Sequence, residues 1–518
     1  MISKEAIKRG YNRGNYVVGA HTPPSYAAGL TSTGSEPGMQ RDPVRVSDAQ
    51  IDALRHVADD VLTDTANVVA WTRDWWAATM VSETGGKPAT PQAVIVKVST
   101  VAQVQAVMRI ANADAIPVTV SAGRSNVTGA ALPVRGGIVL DVCQLNKLIS
   151  VDRESQIVDV EAGMFGDVFE QTVQGEYGLT MGHWPSSFGI STVGGWAACR
   201  GAGQLSTRYG KIEDMVFGMD VVLADGSLIT VGGYSRAAVG SDLQQVFIGS
   251  EGTLGVIVRL RLKLHRLPDY GRAIAYGFKT FAIGLEACRE IMQRGANPAA
   301  LRLYDELESG VQFNRPDLNV LLVADEGARQ IVNAVMDISQ GVCEELGEKL
   351  DGDAVFERWL ETRYLTGKSA EGFKRSPGFV ADTLEMAGRW SDLPAIYDEV
   401  VAAVNAVPGT LAGSAHQSHA YVDGACLYFS LRGEVEVERR AQWYRAAWDA
   451  ANAVLIKYNA ALSHHHGVGL LRAPYMQESL GSAFEVLRTI KRTLDPQNIL
   501  NPGKLGLSDQ RSYGQENR

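Results

Sequence analysis

The chain is 518 residues long, too long for one hydrophobic core, so two or three domains are expected. Its 45% hydrophobic and 21% charged content is that of a globular protein, and a net charge of −9 with no basic run gives no footprint for nucleic acid. Five widely spaced cysteines (Cys143, Cys199, Cys288, Cys343, Cys426) lack a Cys-x-x-Cys pair and read as free thiols of a reducing compartment.

Taken in chain order, residues 1–45 are rich in Gly, Pro, Ser and Thr and read as an extended arm. They carry no apolar targeting region, and no run in the chain reaches the roughly 18 apolar residues of a membrane span. A cytoplasmic enzyme is therefore expected, with peripheral membrane contact left open. Ser47 caps a predicted helix to Leu62, with Ile51, Leu54, Val57 and Val61 on one face. A strand at 93–98, a helix at 101–113 and a strand at 116–120 then form one unit, which ends in the small-residue loop 121–129. Short strands follow at 137–142 and 156–160. From Leu254 to Lys263, Leu254, Val256, Val258, Leu260 and Leu262 alternate with Arg259, Arg261 and Lys263, the mark of a sheet with one buried face. After Asp269 amphipathic helices near 281–293, 326–341 and 393–406 alternate with strands at 318–323 and 425–431, which suggests an α+β domain inserted between two parts of the first. Residues 457–507 close the chain, with a helix at 482–494, and 509–518 form a polar, frayed tail.

Three features carry chemistry. His464-His465-His466 stand side by side between Leu462 and Val468, followed by Gly467. One of them could pack while two are solvated, but adjacent imidazoles repel when charged, and a wall that exchanges protons with a ligand is the sharper reading. The loop after Val120 could be a plain turn or could aim consecutive backbone N–H groups at a diphosphate. It contains neither a Rossmann Gly-x-Gly-x-x-Gly nor a P-loop Gly-Lys-Ser/Thr. Two glycine-dense stretches, 183–203 and 249–257, would let backbone approach a flat ligand closely.

These three segments, in this order, resemble the FAD-binding domain of the vanillyl-alcohol oxidase and p-cresol methylhydroxylase superfamily over about 90–265 and 456–506. The resemblance implies an α+β fold: an FAD-binding domain of two subdomains over 46–268, a substrate or cap domain over 269–455, and a C-terminal segment, 456–508, that returns to the first domain. It implies FAD held by Thr119, Val120, Ser121, Ala122, Gly123, Arg124 and Ser125 at the diphosphate. Ser186, Ser187, Gly189, Ser191, Thr192, Cys199, Arg200, Gly201 and Ala202 would lie along the ring and ribityl chain. Glu251, Gly252, Thr253, Gly255, Val256 and Ile257 would lie on the adenine side. Some members attach flavin to a histidine in the first glycine loop; Arg124-Ser125-Asn126 stands there, so non-covalent FAD is expected.

Within the superfamily the chain is most similar to the alkyldihydroxyacetonephosphate synthases, through Gly182-His183, 300–305, 424–429 and 463–469. That likeness implies exchange of an acyl for an alkyl group on a dihydroxyacetone-phosphate ester through an adduct at flavin N5. His183, Tyr428, His464, His465 and His466 would be catalytic, and Arg302 and Arg375 would hold the phosphate. It also implies a small-molecule or lipid substrate and a homodimer. Trp184 replaces an acidic residue of that family and is expected to narrow the pocket beside His183. The rival is an FAD-dependent oxidase or dehydrogenase of an alcohol or 2-hydroxy acid; a non-catalytic flavin-binding module has no need of clustered titratable groups. No metal is expected, because three adjacent histidines rarely aim three nitrogens at one ion.

Overall fold

The computed structural model describes residues 42–78, 92–363 and 376–507. Most of the arm predicted over 1–45, the tail 509–518 and Arg375 lie outside the described residues.

The first unit forms as its pattern predicts. Thr100 caps the helix Val101–Ala113 and exchanges a reciprocal capping bond with Gln103. The strands on either side, Ala93–Lys97 and Val118–Ser121, both run parallel to Gly137–Asp141. Both faces of this sheet are covered, so Ile95, Val96, Val118, Ile138, Val139 and Leu140 are all fully buried. The helix predicted over 47–62 is shorter. Ser47 caps it as expected, but it ends at Arg55, and Asp60–Leu62 pairs antiparallel with 95–97. Leu54 and Val61 reach the same core from a helix and from a strand, so a spacing that fits one helical stripe was misleading.

The second sheet is antiparallel, in the order Leu148–Asp152, Ile157–Glu161, Val256–Lys263, Val216–Val222, Leu228–Gly232. The alternation seen in the sequence holds: Val256, Val258, Leu260 and Leu262 are buried, while Arg259 and Arg261 lie half-buried against Asp159 and Asp220.

The third sheet has seven antiparallel strands, in the order Glu348–Leu350, Tyr270–Phe278, Asn319–Gly327, Ala300–Tyr304, Thr410–Ala420, Gly424–Glu434, Phe379–Arg389. Leu301, Leu303, Leu321 and Val323 face a layer that includes Phe281–Gln293, Arg329–Leu346, Leu393–Asn405 and Arg440–Lys457. Their alternates Ala300, Tyr304, Val320 and Leu322 face a core shared with Val158, Val160 and Leu260 of the second sheet. One face of this sheet therefore looks toward the second sheet.

The chain end closes the structure. Asn501 N–H donates to Val118 O and Val118 N–H to Ile499 O, both at 2.7 Å, which extends the parallel sheet past its edge. Lys491 is buried and donates to Thr253 O at 2.9 Å and Leu500 O at 2.8 Å. The segment 495–504 thus acts as a fastener. No helix among the described residues is long and apolar enough to cross a membrane.

Candidate active site

A cavity of about 690 Å³ lies between the glycine-rich loops and the seven-stranded sheet. On the loop side the first glycine loop contributes Val120, Ser121, Ala122, Gly123, Arg124 and Ser125. Gly123 passes so close to the next segment that a Cβ there would stand 2.2 Å from Ile190 O. The backbone N–H groups of Gly123 and Ser125 have no partner among the described residues. Ser186, Ser187, Ser191, Thr192, Cys199, Gly201 and Ala202 continue the wall, and Glu251, Gly252, Gly255 and Ile257 complete it. A wall of small residues with unengaged N–H donors fits a long, flat ligand with an anionic middle, as FAD has.

Five of the predicted cofactor residues do not line the cavity: Thr119, Gly189, Arg200, Thr253 and Val256. Thr119 and Val256 are buried in their sheets. The Arg200 side chain turns away to Gln245 Oε1 at 2.9 Å and Ile248 O at 3.2 Å, and Thr253 donates back to Ser250 O at 2.7 Å. A contiguous motif always includes residues that face backward, because strand side chains alternate. Trp184 is also turned inward: its ring packs 4.9 Å from that of Phe188 in the core and leaves the cavity to His183 and Pro185. The expected narrowing therefore does not occur. His183 is buried 4.6 Å from the Trp196 ring, with neither nitrogen hydrogen-bonded among the described residues; burial, and then Lys211, push its pKa down to about 3.

On the opposite side, strand register builds the wall. Tyr304, His416, Tyr428 and Glu385 stand directly opposite one another across four neighbouring strands. Arg302, two residues before Tyr304, shares its face; its Nε donates to Tyr304 Oη at 2.9 Å and its guanidinium lies over Trp359 at 5.9 Å. Asp305, three residues on, caps Glu306–Phe313 and accepts from Ala415 N–H. His416 is sandwiched between Tyr304 and Tyr428, with Nδ1 2.8 Å from Glu308 Oε2. Burial opposes charge on Glu308, but His416 and Ser430 hold its carboxyl below the usual range. A bulge between Gln417 and His419 brings His419 to the cavity as well.

The histidine loop enters between the two walls. Glu385, fully buried, accepts from the backbone N–H groups of His464, His465 and His466 and from Ser463 Oγ, and it pairs with Arg472 at 3.2 Å. Burial disfavours its charge, yet Arg472 and the triplet hold its carboxyl below the usual range. From the loop side, Glu251 accepts from Val468 N–H at 2.6 Å and Gly469 N–H at 2.8 Å. Two buried carboxylates therefore hold the loop by its backbone and leave its rings free for other contacts. His465 and His466 line the cavity, and His466 Nε2 lies 3.5 Å from Tyr428 Oη. His464 sits behind them, with Nε2 2.6 Å from Tyr421 Oη. Burial pushes the pKa of His464 down to about 3 and that of His466 to about 4, and takes His465 and His419 well below the usual imidazole range, so these rings are neutral. Burial drives the Tyr428 phenol the other way, upward.

His416, Glu308, His419, Arg363 and Glu385 were missed in the sequence. Their one signal is the run Ser414-Ala415-His416-Gln417-Ser418-His419, two histidines in a strand beside that of Tyr428. Arg363 lies in the cavity wall over the Trp359 ring at 4.7 Å.

Residues 91–232 match the family described as FAD binding domain, and 267–505 match that described as FAD linked oxidases, C-terminal domain. An alkyldihydroxyacetonephosphate synthase of Trypanosoma brucei brucei is 30% identical over 437 residues, covering 77% of this chain and 70% of its own. The glycolate oxidase subunit GlcD of Bacillus subtilis is 26% identical over 437 residues, covering 81% and 90%. A solved alkyldihydroxyacetonephosphate synthase superposes with a TM-score of 0.73 at 23% identity, covering 92% of this chain and 88% of that one, which establishes the shared fold.

Proposed function

The chain belongs to the family of FAD-linked oxidases and binds FAD, and within that family we propose that it acts on a ketone-bearing phosphate ester as the alkyldihydroxyacetonephosphate synthases do, replacing an acyl by an alkyl chain. Bound FAD would supply a ring able to take up and return an electron pair at the reacting carbon. Those residues of the glycine loops that line the cavity would hold its diphosphate and ring. The observation that carries the reading is a single cavity holding a buried guanidinium, Arg302, beside several neutral imidazoles. Arg302, with Arg363 near it and Arg375 from outside the described residues, would hold the phosphate. A neutral His465 or His466 can take the acidic proton next to the ketone, and Tyr428, whose phenol burial keeps protonated, can donate to the ketone oxygen. His183, neutral and lining the same cavity, would fit a hydrogen-bonding role toward the ring.

Oxidation of a 2-hydroxy acid is the second reading, favoured by the likeness to the glycolate oxidase subunit. There the same imidazoles would take the hydroxyl proton and Arg302 would hold the carboxylate. Anaerobic mixing separates the two. With an acyl dihydroxyacetone phosphate and a fatty alcohol, we expect release of fatty acid and formation of the alkyl ether with no net bleaching of the flavin. Bleaching by glycolate or lactate, with peroxide on admitting air and no ether product, would overturn the synthase reading.

A further inference from the structure

We propose that His416, positioned by Glu308, is a second base of this site, the one that takes the proton of the incoming alcohol as the acyl chain is replaced. The inference rests on the exchange reading of the function. That exchange moves two different protons: one leaves the carbon beside the ketone, the other leaves the hydroxyl of the alcohol. His465 or His466 takes the first in that reading, and a separate imidazole stands ready for the second. His416 lines the same cavity from the strand Thr410–Ala420. Its ring stacks 4.9 Å from that of Tyr428, and its other face lies 5.3 Å from Tyr304, whose hydroxyl accepts from Arg302. His416 therefore sits between the group that would hold the phosphate and the one that would hold the ketone oxygen.

Among the described residues, His416 is the one cavity histidine with a ring nitrogen hydrogen-bonded to a carboxylate, Nδ1 being 2.8 Å from Glu308 Oε2. The other oxygen of Glu308 accepts from Ser430 Oγ at 2.8 Å and Ser414 Oγ at 3.2 Å, and Arg432 further favours its charge. A charged carboxylate can only accept, so His416 Nδ1 carries the proton of that bond and, in the neutral ring, Nε2 keeps its lone pair. Nε2 makes no hydrogen bond among the described residues. A carboxylate behind an imidazole fixes its tautomer and stabilises the imidazolium formed when the ring takes a proton, which is how a weakly acidic hydroxyl is activated. His465 has no such partner: its Nδ1 faces His464 Nδ1 at 3.0 Å.

The step balances without an oxidant. The bond from carbon to the ester oxygen breaks with its electron pair and the fatty acid leaves as carboxylate. The alcohol oxygen bonds to that carbon, and the alcohol proton passes to His416 Nε2 and then to the departing carboxylate or water. A fatty acid that re-enters as carboxylate has no proton to lose, so its exchange into the ester needs no second base. The test measures two rates on one FAD-loaded sample: incorporation of a labelled fatty acid into the acyl ester, and ether formation from a fatty alcohol. Their ratio does not depend on how much of the protein is folded. In His416→Gln the ratio of ether formation to acid exchange is expected to fall about 10²-fold or more, and in Glu308→Gln, which loses only the positioning group, about tenfold. An unchanged ratio in His416→Gln, equal loss of both rates included, overturns the inference. If His416→Gln does not retain FAD, the Glu308→Gln ratio decides in the same way. If acid exchange is too slow to follow, recovery of ether formation by added imidazole in His416→Gly supports the base, and no recovery overturns it. A natural protein that forms neither product loses the synthase reading itself, and the inference with it.

Discussion

The two walls of the cavity are built from opposite materials. The loop wall offers backbone: short residues, close approaches such as Gly123 to Ile190, and N–H groups without partners among the described residues. The sheet wall offers side chains: Arg302, His416, His419 and Tyr428, set on strands whose register places them in rows, with Glu308 from the helix Glu306–Phe313. The first wall suits a cofactor that must always sit in one pose. The second suits a reacting molecule that needs charge and protons placed around it. The histidine loop belongs to neither wall and is held to both, by Glu251 on one side and Glu385 on the other.

If that division is right, damage to the link between the walls should cost the most. Glu385→Gln removes one half of a buried pair, leaves Arg472 charged at 0% exposure, and weakens a carboxylate that takes three backbone N–H groups. We expect a loss of about 3–5 kcal/mol in denaturant unfolding. Loss of the imidazoles on the loop between the walls should spare the cofactor. His465→Ala with His466→Ala is expected to lower turnover by about 10²-fold or more while the flavin spectrum stays intact, as general acid–base groups do; retained turnover would reduce the triplet to a structural part. Damage to the loop wall should do the reverse. In Gly123→Val the Cβ would stand 2.2 Å from Ile190 O, well inside van der Waals contact, so the loop must shift, and we expect FAD retention to fall about tenfold or more, measured by ultrafiltration.

A further effect concerns pH. Asp382 borders the cavity, accepts from Tyr444 Oη at 2.5 Å, and is pushed by burial to about 6. Its pKa is thus higher folded than unfolded. The folded state holds the extra proton between about pH 4 and 6, and the group's contribution to stability falls as pH rises through that window. The drop is bounded at about 3 kcal/mol by roughly 1.4 kcal/mol per pKa unit. Asp382→Asn should flatten that part of the stability–pH curve, read by thermal melts from pH 4 to 7.

What could be read directly from the sequence was whatever depends on neighbours along the chain. The strand–helix–strand unit, the helices at 101–113 and 281–293, the alternation along 254–263 and the glycine loops all express local periodicity or backbone freedom, and the structure places them there. So did the approach of the triplet and Tyr428 to one cavity, through a resemblance carried by short motifs. Tertiary structure alone decided the rest. Thr119, Arg200 and Val256 fall inside a motif yet face away from the cavity, because a strand or turn shows only some of its residues to any one side. Glu308, Glu385, His416 and His419 join the site from three segments, two of them opposite Tyr428 by register and one through a bulge, and none of this is encoded in spacing along the chain. The physical reason is that glycine loops act through their own backbone, whereas a charged cluster acquires its meaning only when distant strands pair and exclude water around it.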